Sequence, residues 1–538
     1  MGTSKRFQEG PPAAGFPTPV PQLFPTMKQD RPNLTIRVDL SGRQLARNTA
    51  LNLVGRIVPL VVAVAAMPYV VGQLGPDRFG LLALAWMVVG YFALFDLGIG
   101  PATTKFVAEL LGKGEIEKLP ELVWTALASQ TALGLVAGVL LALGAPLLVE
   151  RLLKIPAELH PQAHLMFLIL AAALPIDFAT GSMRGVLAAS QRFDLLNALT
   201  IPSSSLNYLL PVVALALGYG LPAIVLFLVL ARLASLGVLF VLCFRLYPAL
   251  RTQVQFDRRL VRSLLGFGGW VTVSSAVGPI LVYFDRFFIG AVVSIAAVGF
   301  FTPPYMISER MSLFPVSLMT TLFPAFSTSA GRGDHEWIRS TFVRSLKFLL
   351  LLVGPGALLL GFFAHPILTI WLGAKFAAEG TLVLQILAVG VLINSLAFVP
   401  YGLLQGMGRP DLTAKFHLFE LPLHIGLVWF LVTRFGLPGA ALAWTIRVSL
   451  DFLLLIGAAC WVTRTSPRLL AGRDLRRSVG TLLGLAAGFA VLWASTQTLI
   501  TEAAFALFLS GGFLIAAWHY ALNLEEKWQI RLWLKVVR

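Results

Sequence analysis

The sequence predicts an all-α polytopic membrane protein of about fourteen transmembrane helices, built as two six-helix lobes related by a parallel repeat plus two extra C-terminal helices. Three observations predict it. Of the 538 residues, 57% are apolar and 13% charged, against roughly 45–50% and 25% in an ordinary soluble chain. At about 20 apolar residues per span, that supplies on the order of fourteen spans. The basic residues mostly fall between the apolar runs, and one stretch of sequence recurs at an offset of 217 residues.

Residues 1–44 carry prolines at 11, 12, 17, 19, 21, 25 and 32 and no continuous apolar stretch, so a disordered cytoplasmic tail is expected there. No short apolar core followed by a small-residue cleavage site appears, so the helix from about Leu45 is read as the insertion signal. Apolar runs then centre near residues 60, 88, 133, 174, 207 and 232, giving a first lobe over 45–262. Runs near 277, 307, 354, 391, 423 and 448 give a second lobe over 263–470. Two more, near 485 and 511, form the extra pair over 471–524. The cytoplasmic tail 525–538 holds Trp528 and Trp533 among charges, which suits a short helix on the membrane surface. Prolines such as Pro59, Pro175, Pro211 and Pro303 interrupt several runs. Neighbouring helices or a watery cavity must meet the carbonyls they free.

The excess of positive charge, +16 at neutral pH, reads as a topology signal rather than as a nucleic-acid surface. With the N terminus in the cytoplasm, 31 of the 42 Lys and Arg fall inside. Five fall outside: Arg78, Arg151, Lys154, Lys375 and Arg434. Both termini are therefore expected in the cytoplasm. The repeat aligns Gly185 to Leu195 with Gly402 to Leu412, including Arg192 with Arg409 and Asp194 with Asp411, and pairs Cys243 with Cys460. The two cysteines lie inside apolar runs and support neither a disulfide framework nor a multi-ligand metal site.

Ordered motifs add a family resemblance. Arg47-Asn48-Thr49-Ala50, the run from Val71 to Gly80, Phe95-Asp96-Leu97-Gly98-Ile99-Gly100 and Thr104 to Glu109 resemble the start of Wzx-type polysaccharide flippases. These belong to the multidrug/oligosaccharidyl-lipid/polysaccharide exporter superfamily. In the second half Tyr283-Phe284-Asp285-Arg286, Leu322-Phe323-Pro324, Ile370-Trp371-Leu372-Gly373 and Gly406-Met407-Gly408-Arg409 are similar too, so the resemblance covers about residues 45–464. It implies a transporter in the cytoplasmic (inner) membrane that flips an undecaprenyl-diphosphate-linked oligosaccharide by alternating access. The implied partners are this lipid-linked substrate, membrane lipids and the polysaccharide polymerase machinery, with no nucleic acid and no cofactor.

Charge inside a span costs at least about 2.5 kcal/mol on insertion scales and asks for a reason. Arg56 and Arg310, near the middles of the first and eighth helices, are the expected substrate contacts, because a diphosphate needs cationic partners and a guanidinium binds it bidentately. Arg184 and Arg232 are further substrate candidates, and Asp177 shares a helix face with Arg184. Asp177, Asp285, Glu309 and Glu420 are candidates for coupling or gating. Asp285 and Arg286 also suit lobe packing, and Glu309 suits an ion pair with Arg310. Arg447 and Asp451, four apart, are expected to form an intrahelical salt bridge. His417, Glu420 and His424 fall on one helix face, a spacing compatible with a metal, with proton coupling or with interhelical hydrogen bonding. No metal site is expected.

Other functions are disfavoured. No Gly-rich phosphate loop ending in Gly-Lys-Ser or Gly-Lys-Thr is present, so the chain alone is not an ATP-driven pump. A peptidoglycan-precursor flippase or a multidrug exporter of the same superfamily is the alternative. A membrane glycosyltransferase or polymerase would need catalytic carboxylates on larger external loops than those near 150–161 and 365–378.

Overall fold

The structure is a computed structural model that describes residues 42–94, 99–190, 192–262, 264, 281, 283–466, 472–495, 499–524 and 526–528. The N-terminal tail through residue 41, the span expected near residue 277 and the tail beyond 528 lie outside these. Among the described residues every regular element is helical. Residues 1–51 cluster as one unit, helical from Gly42, and 52–538 as a second.

The first half consists of α1 (Gly42–Leu94), α2 (Ile99–Lys113), α3 (Leu119–Leu147), α4 (His160–Ala189), α5 (Phe193–Ala216) and α6 (Leu221–Leu246). A helical stretch over 283–292 precedes α7 (Ile295–Arg310), α8 (Leu313–Gly331), α9 (His335–Phe362), α10 (Ala364–Leu372), α11 (Ala374–Gly406), α12 (Pro410–Phe435) and α13 (Leu437–Thr463). The chain closes with α14 (Arg473–Ala494) and α15 (Leu499–Ala516). Eleven segments among the described residues are long and apolar enough to cross a membrane. The runs centred on 60 and 88 merge into α1, broken at Gly75, whose φ of 68° is open to glycine. The run near 307 divides into α7 and α8 around Met311 and Ser312.

Small residues let helices approach where oil-to-oil contact provides no drive. On α3, a methyl added at Gly138 would stand 2.5 Å from the Ala171 carbonyl oxygen of α4. Ser203 and Ser235 hydrogen-bond at 3.0 Å between α5 and α6, and Ser182 of α4 bonds Gln130 of α3. The closing pair α14 and α15 packs through Leu482, Leu485, Phe489 and Phe513 onto the Leu350 side of α9. There Lys347 and Glu526, each 3% exposed or less, meet at 2.5 Å. Glu526 also accepts from the Asn523 amide at 2.9 Å. Lys347, which falls among the cytoplasmic-loop cations in the sequence count, is thus a buried side chain with a buried counter-ion.

Two segments aligned by the sequence repeat share a local side-chain geometry. At the start of α5, Arg192 grips Asp194 bidentately with both distances 2.9 Å. At the start of α12, Arg409 grips Asp411 the same way at 2.9 and 3.1 Å.

The opposite end of the bundle is shut. Gly80 of α1 and Gly299 of α7 cross so closely that a methyl on Gly80 would lie 2.0 Å from the Ile295 carbonyl oxygen. One on Gly299 would lie 2.4 Å from that of Pro76. Phe376 wedges between Phe79 and Phe300, with ring centroids 6.5 and 4.9 Å away. The Lys154 amide donates to the Gly290 carbonyl at 2.8 Å, and the Ile295 amide to that of Lys154 at 3.3 Å. Trp371 Nε1 donates to the Val64 carbonyl at 2.9 Å.

Candidate functional site

Away from this closed end, one face of α4 opens progressively. Leu170 and Ala173 are buried, Asp177 and Thr180 are half-buried, and Arg184 is exposed. These positions follow one another at helical spacing, so they share one face of α4, and the exposed end of that face is the polar one. Asp177 Oδ2 accepts from Arg232 Nη1 of α6 at 2.7 Å, with the two side chains 11% and 21% exposed. Arg184, two turns along α4, stands in the field of Asp177. Two cations around one carboxylate leave this cluster net positive.

A chain of aromatic contacts continues from it. Arg232 and Trp86 of α1 line one small cavity with Leu170, Val225 and Leu228. Trp86 meets Tyr208 of α5 edge-on at 5.7 Å. Tyr208 Oη accepts from Arg310 Nη2 of α7 at 3.3 Å. The structure therefore links Asp177, Arg232 and Arg310 through two aromatic side chains from α1 and α5. Glu309 is exposed, and Arg310 turns to Tyr208 rather than to it. The Arg56 side chain lies outside the described residues.

A second ionic cluster is sealed inside the later half. Asp285 Oδ1 and His424 Nε2 lie 2.9 Å apart, both 1% exposed or less, close but off the axis of a hydrogen bond. Arg447 Nη1 donates to Glu420 Oε2 at 3.3 Å, so the expected intrahelical salt bridge to Asp451 gives way to one between α12 and α13. The reason is reach: Glu420 is buried at 0% beside Arg447 and offers the closer oxygen. Arg286 covers the Tyr305 ring at 4.0 Å. His417 stacks on Tyr401 with centroids 6.3 Å apart. His417, Glu420 and His424 thus turn to three different partners, and no metal-holding group of three ligands occurs among the described residues.

Sequence reasoning missed Trp86 and Tyr208. Each is an aromatic residue in an apolar run, where nothing in the local pattern separates a cavity wall from packing. It also missed the Lys347 and Glu526 pair, whose members are 179 positions apart.

Comparison with known proteins identifies the family and the fold. The family model described as "Polysaccharide biosynthesis protein" matches residues 45–330, and the MatE model matches residues 272–430. The chain is 27% identical over 412 residues to the putative O-antigen transporter of Shigella flexneri, covering 76% of this chain and 96% of that protein. It is 22% identical over 426 residues to the probable flippase AglR of Haloferax volcanii, covering 79% and 85%. The solved structure of the lipid II flippase MurJ in its inward closed conformation shares the fold. Its TM-score is 0.69 at 13% identity, covering 87% of this chain and 98% of that one. These likenesses bear out the Wzx-type resemblance of the motifs and mark the chain as a multi-pass membrane transporter rather than an enzyme. Because the first model spans more than half of its length, the chain belongs to the polysaccharide biosynthesis protein family, within the multidrug/oligosaccharidyl-lipid/polysaccharide exporter superfamily.

Proposed function

We propose that the protein flips an undecaprenyl-diphosphate-linked oligosaccharide across the cytoplasmic membrane by alternating access, with Arg232 and Arg310 holding the diphosphate. The carrying observation is that the Arg232 and Arg310 side chains, on α6 and α7, meet the same half-buried aromatic pair, Arg232 sharing a cavity with Trp86 and Arg310 donating to Tyr208. A diphosphate cannot cross hydrocarbon unaided, and guanidinium contacts are strong where water is scarce. Arg184, exposed at the mouth of the α4 stripe, receives the head group first. Arg56 is assigned to the same substrate from its place in the sequence.

Both termini lie in the cytoplasm in this reading, so the Gly80 and Gly299 crossing closes the outer face and the substrate enters from within. Asp177 holds Arg232 until the substrate competes for it. Asp285, Glu309 and Glu420 serve coupling or gating. The polymerase machinery receives the product outside.

The test is exposure of lipid-linked oligosaccharide on the outer leaflet, with protein level measured in parallel. Arg310→Ala removes charge-assisted hydrogen bonds worth roughly 1.5–3 kcal/mol, so capture should weaken about tenfold or more. Arg310→Lys should rescue only part, since a point charge lacks the planar fork. Wild-type export by Arg310→Ala and Arg232→Ala at normal level would remove these arginines from the mechanism.

A further inference from the structure

We propose that Trp86 and Tyr208 form an aromatic platform for the pyranose ring adjoining the diphosphate, making them the residues that recognise sugar rather than phosphate. This rests on the reading of Arg232 and Arg310 as the diphosphate site and extends it to the next chemical group along the substrate.

Three observations support a sugar. The two rings meet edge-on at 5.7 Å, presenting apolar surface between two guanidiniums at a depth where charge is costly. A sugar ring offers apolar C–H faces together with hydroxyls, and a Trp and Tyr pair offers the matching mixture of ring face and polar tip. Secondly, Trp86 Nε1 is buried with no acceptor among the described residues. The indole N–H is a donor only, so a hydroxyl oxygen brought by a ligand satisfies it, whereas a lipid chain would not. Thirdly, Tyr208 Oη already accepts from Arg310. Its own proton is therefore directed elsewhere and can be given to a second oxygen. A phosphate would be served by the arginines alone, and the two aromatic donors would remain unexplained.

The platform also has a fixed backing. Phe79 is fully buried and meets Trp86 at 6.3 Å on the side of the closed end. Trp86 is thus braced against the crossing that must part when the outer face opens. The Arg232 side chain lines the same cavity as Trp86 through its apolar atoms, and the Tyr208 ring meets the indole, so a ligand reaching the indole has Arg232 and Tyr208 as neighbours.

The experiment measures binding of three synthetic lipids to the full chain in lipid nanodiscs: a polyprenyl diphosphate, the same lipid bearing one N-acetylglucosamine, and the same lipid bearing one galactose. The wild type should bind at least one sugar-bearing lipid about tenfold more tightly than the bare diphosphate. Trp86→Leu should erase that preference, the sugar-bearing lipid losing about tenfold more affinity than the bare one. Trp86→Phe keeps the ring and should retain part of the preference, which separates recognition from a folding defect. Arg310→Gln should weaken all three lipids alike. Equal wild-type binding of all three lipids would overturn the platform, as would a Trp86→Leu variant that loses the bare lipid equally. If the wild type ignores the bare lipid but binds a sugar-bearing one through Trp86, the diphosphate reading fails and the platform stands.

Discussion

Replacing Gly299 by Ala should push the transporter away from its present closed state. An added methyl would sit 2.4 Å from the Pro76 carbonyl oxygen. Contact at about 3.4 Å is needed to avoid strain, so α1 and α7 must separate by roughly an ångström at their crossing. Overpacking of this kind costs about 1–3 kcal/mol, which shifts a two-state equilibrium about 5- to 150-fold. The readout is a Cys at Ala297, 5% exposed on α7, with Cys243 and Cys460 replaced by Ala. A membrane-impermeant maleimide added from outside should label it faster in the Gly299→Ala background, and export should fall. Gly72→Ala is the control, since a methyl there meets nothing within 4 Å. Unchanged labelling of the Gly299→Ala protein, present at normal level, would refute the assignment of this crossing as the closure.

The Lys347 and Glu526 pair yields a stability test: Lys347→Met should lower stability by removing the nearest counter-ion of a buried carboxylate that then keeps Arg344 at 3.8 Å and the Asn523 amide, and adding Glu526→Met should recover most of the loss, read by thermal unfolding in detergent. Similarly, Asp285→Leu should lower stability more than the double change with His424→Leu does, because the two buried side chains face each other at 2.9 Å. For topology, Cys at Lys154 should label from outside and Cys at Arg473 should not; the reverse pattern would invert the orientation.

Particular elements show what local sequence can and cannot reveal. Span positions were legible because burial in lipid needs only a long apolar run, and α3, α4, α6, α11 and α13 all follow such runs. The Arg192 and Arg409 brackets were legible as a recurrence because each closes on a residue two positions away. Charge partners were not legible where the contact is tertiary. Arg232 finds Asp177 55 positions back, and Arg447 prefers Glu420 on another helix to Asp451 on its own. The division of α7 from α8 falls at Ser308-Glu309-Arg310-Met311-Ser312, a polar interruption of the apolar run.

The seal at Gly80 and Gly299 bears on the energetics of the whole cell envelope. A membrane under voltage delivers about 2.3 kcal/mol per 100 mV for every elementary charge that leaks across it. A passage wide enough for a glycan would be a short circuit if its shut end rested on loosely fitted side chains that admit a file of water. Here the barrier is backbone against backbone, flanked by Phe79, Leu81, Leu82, Ile295 and Val298, all fully buried. Bulky cargo can then be loaded from one compartment while the electrochemical gradient across the bilayer is conserved.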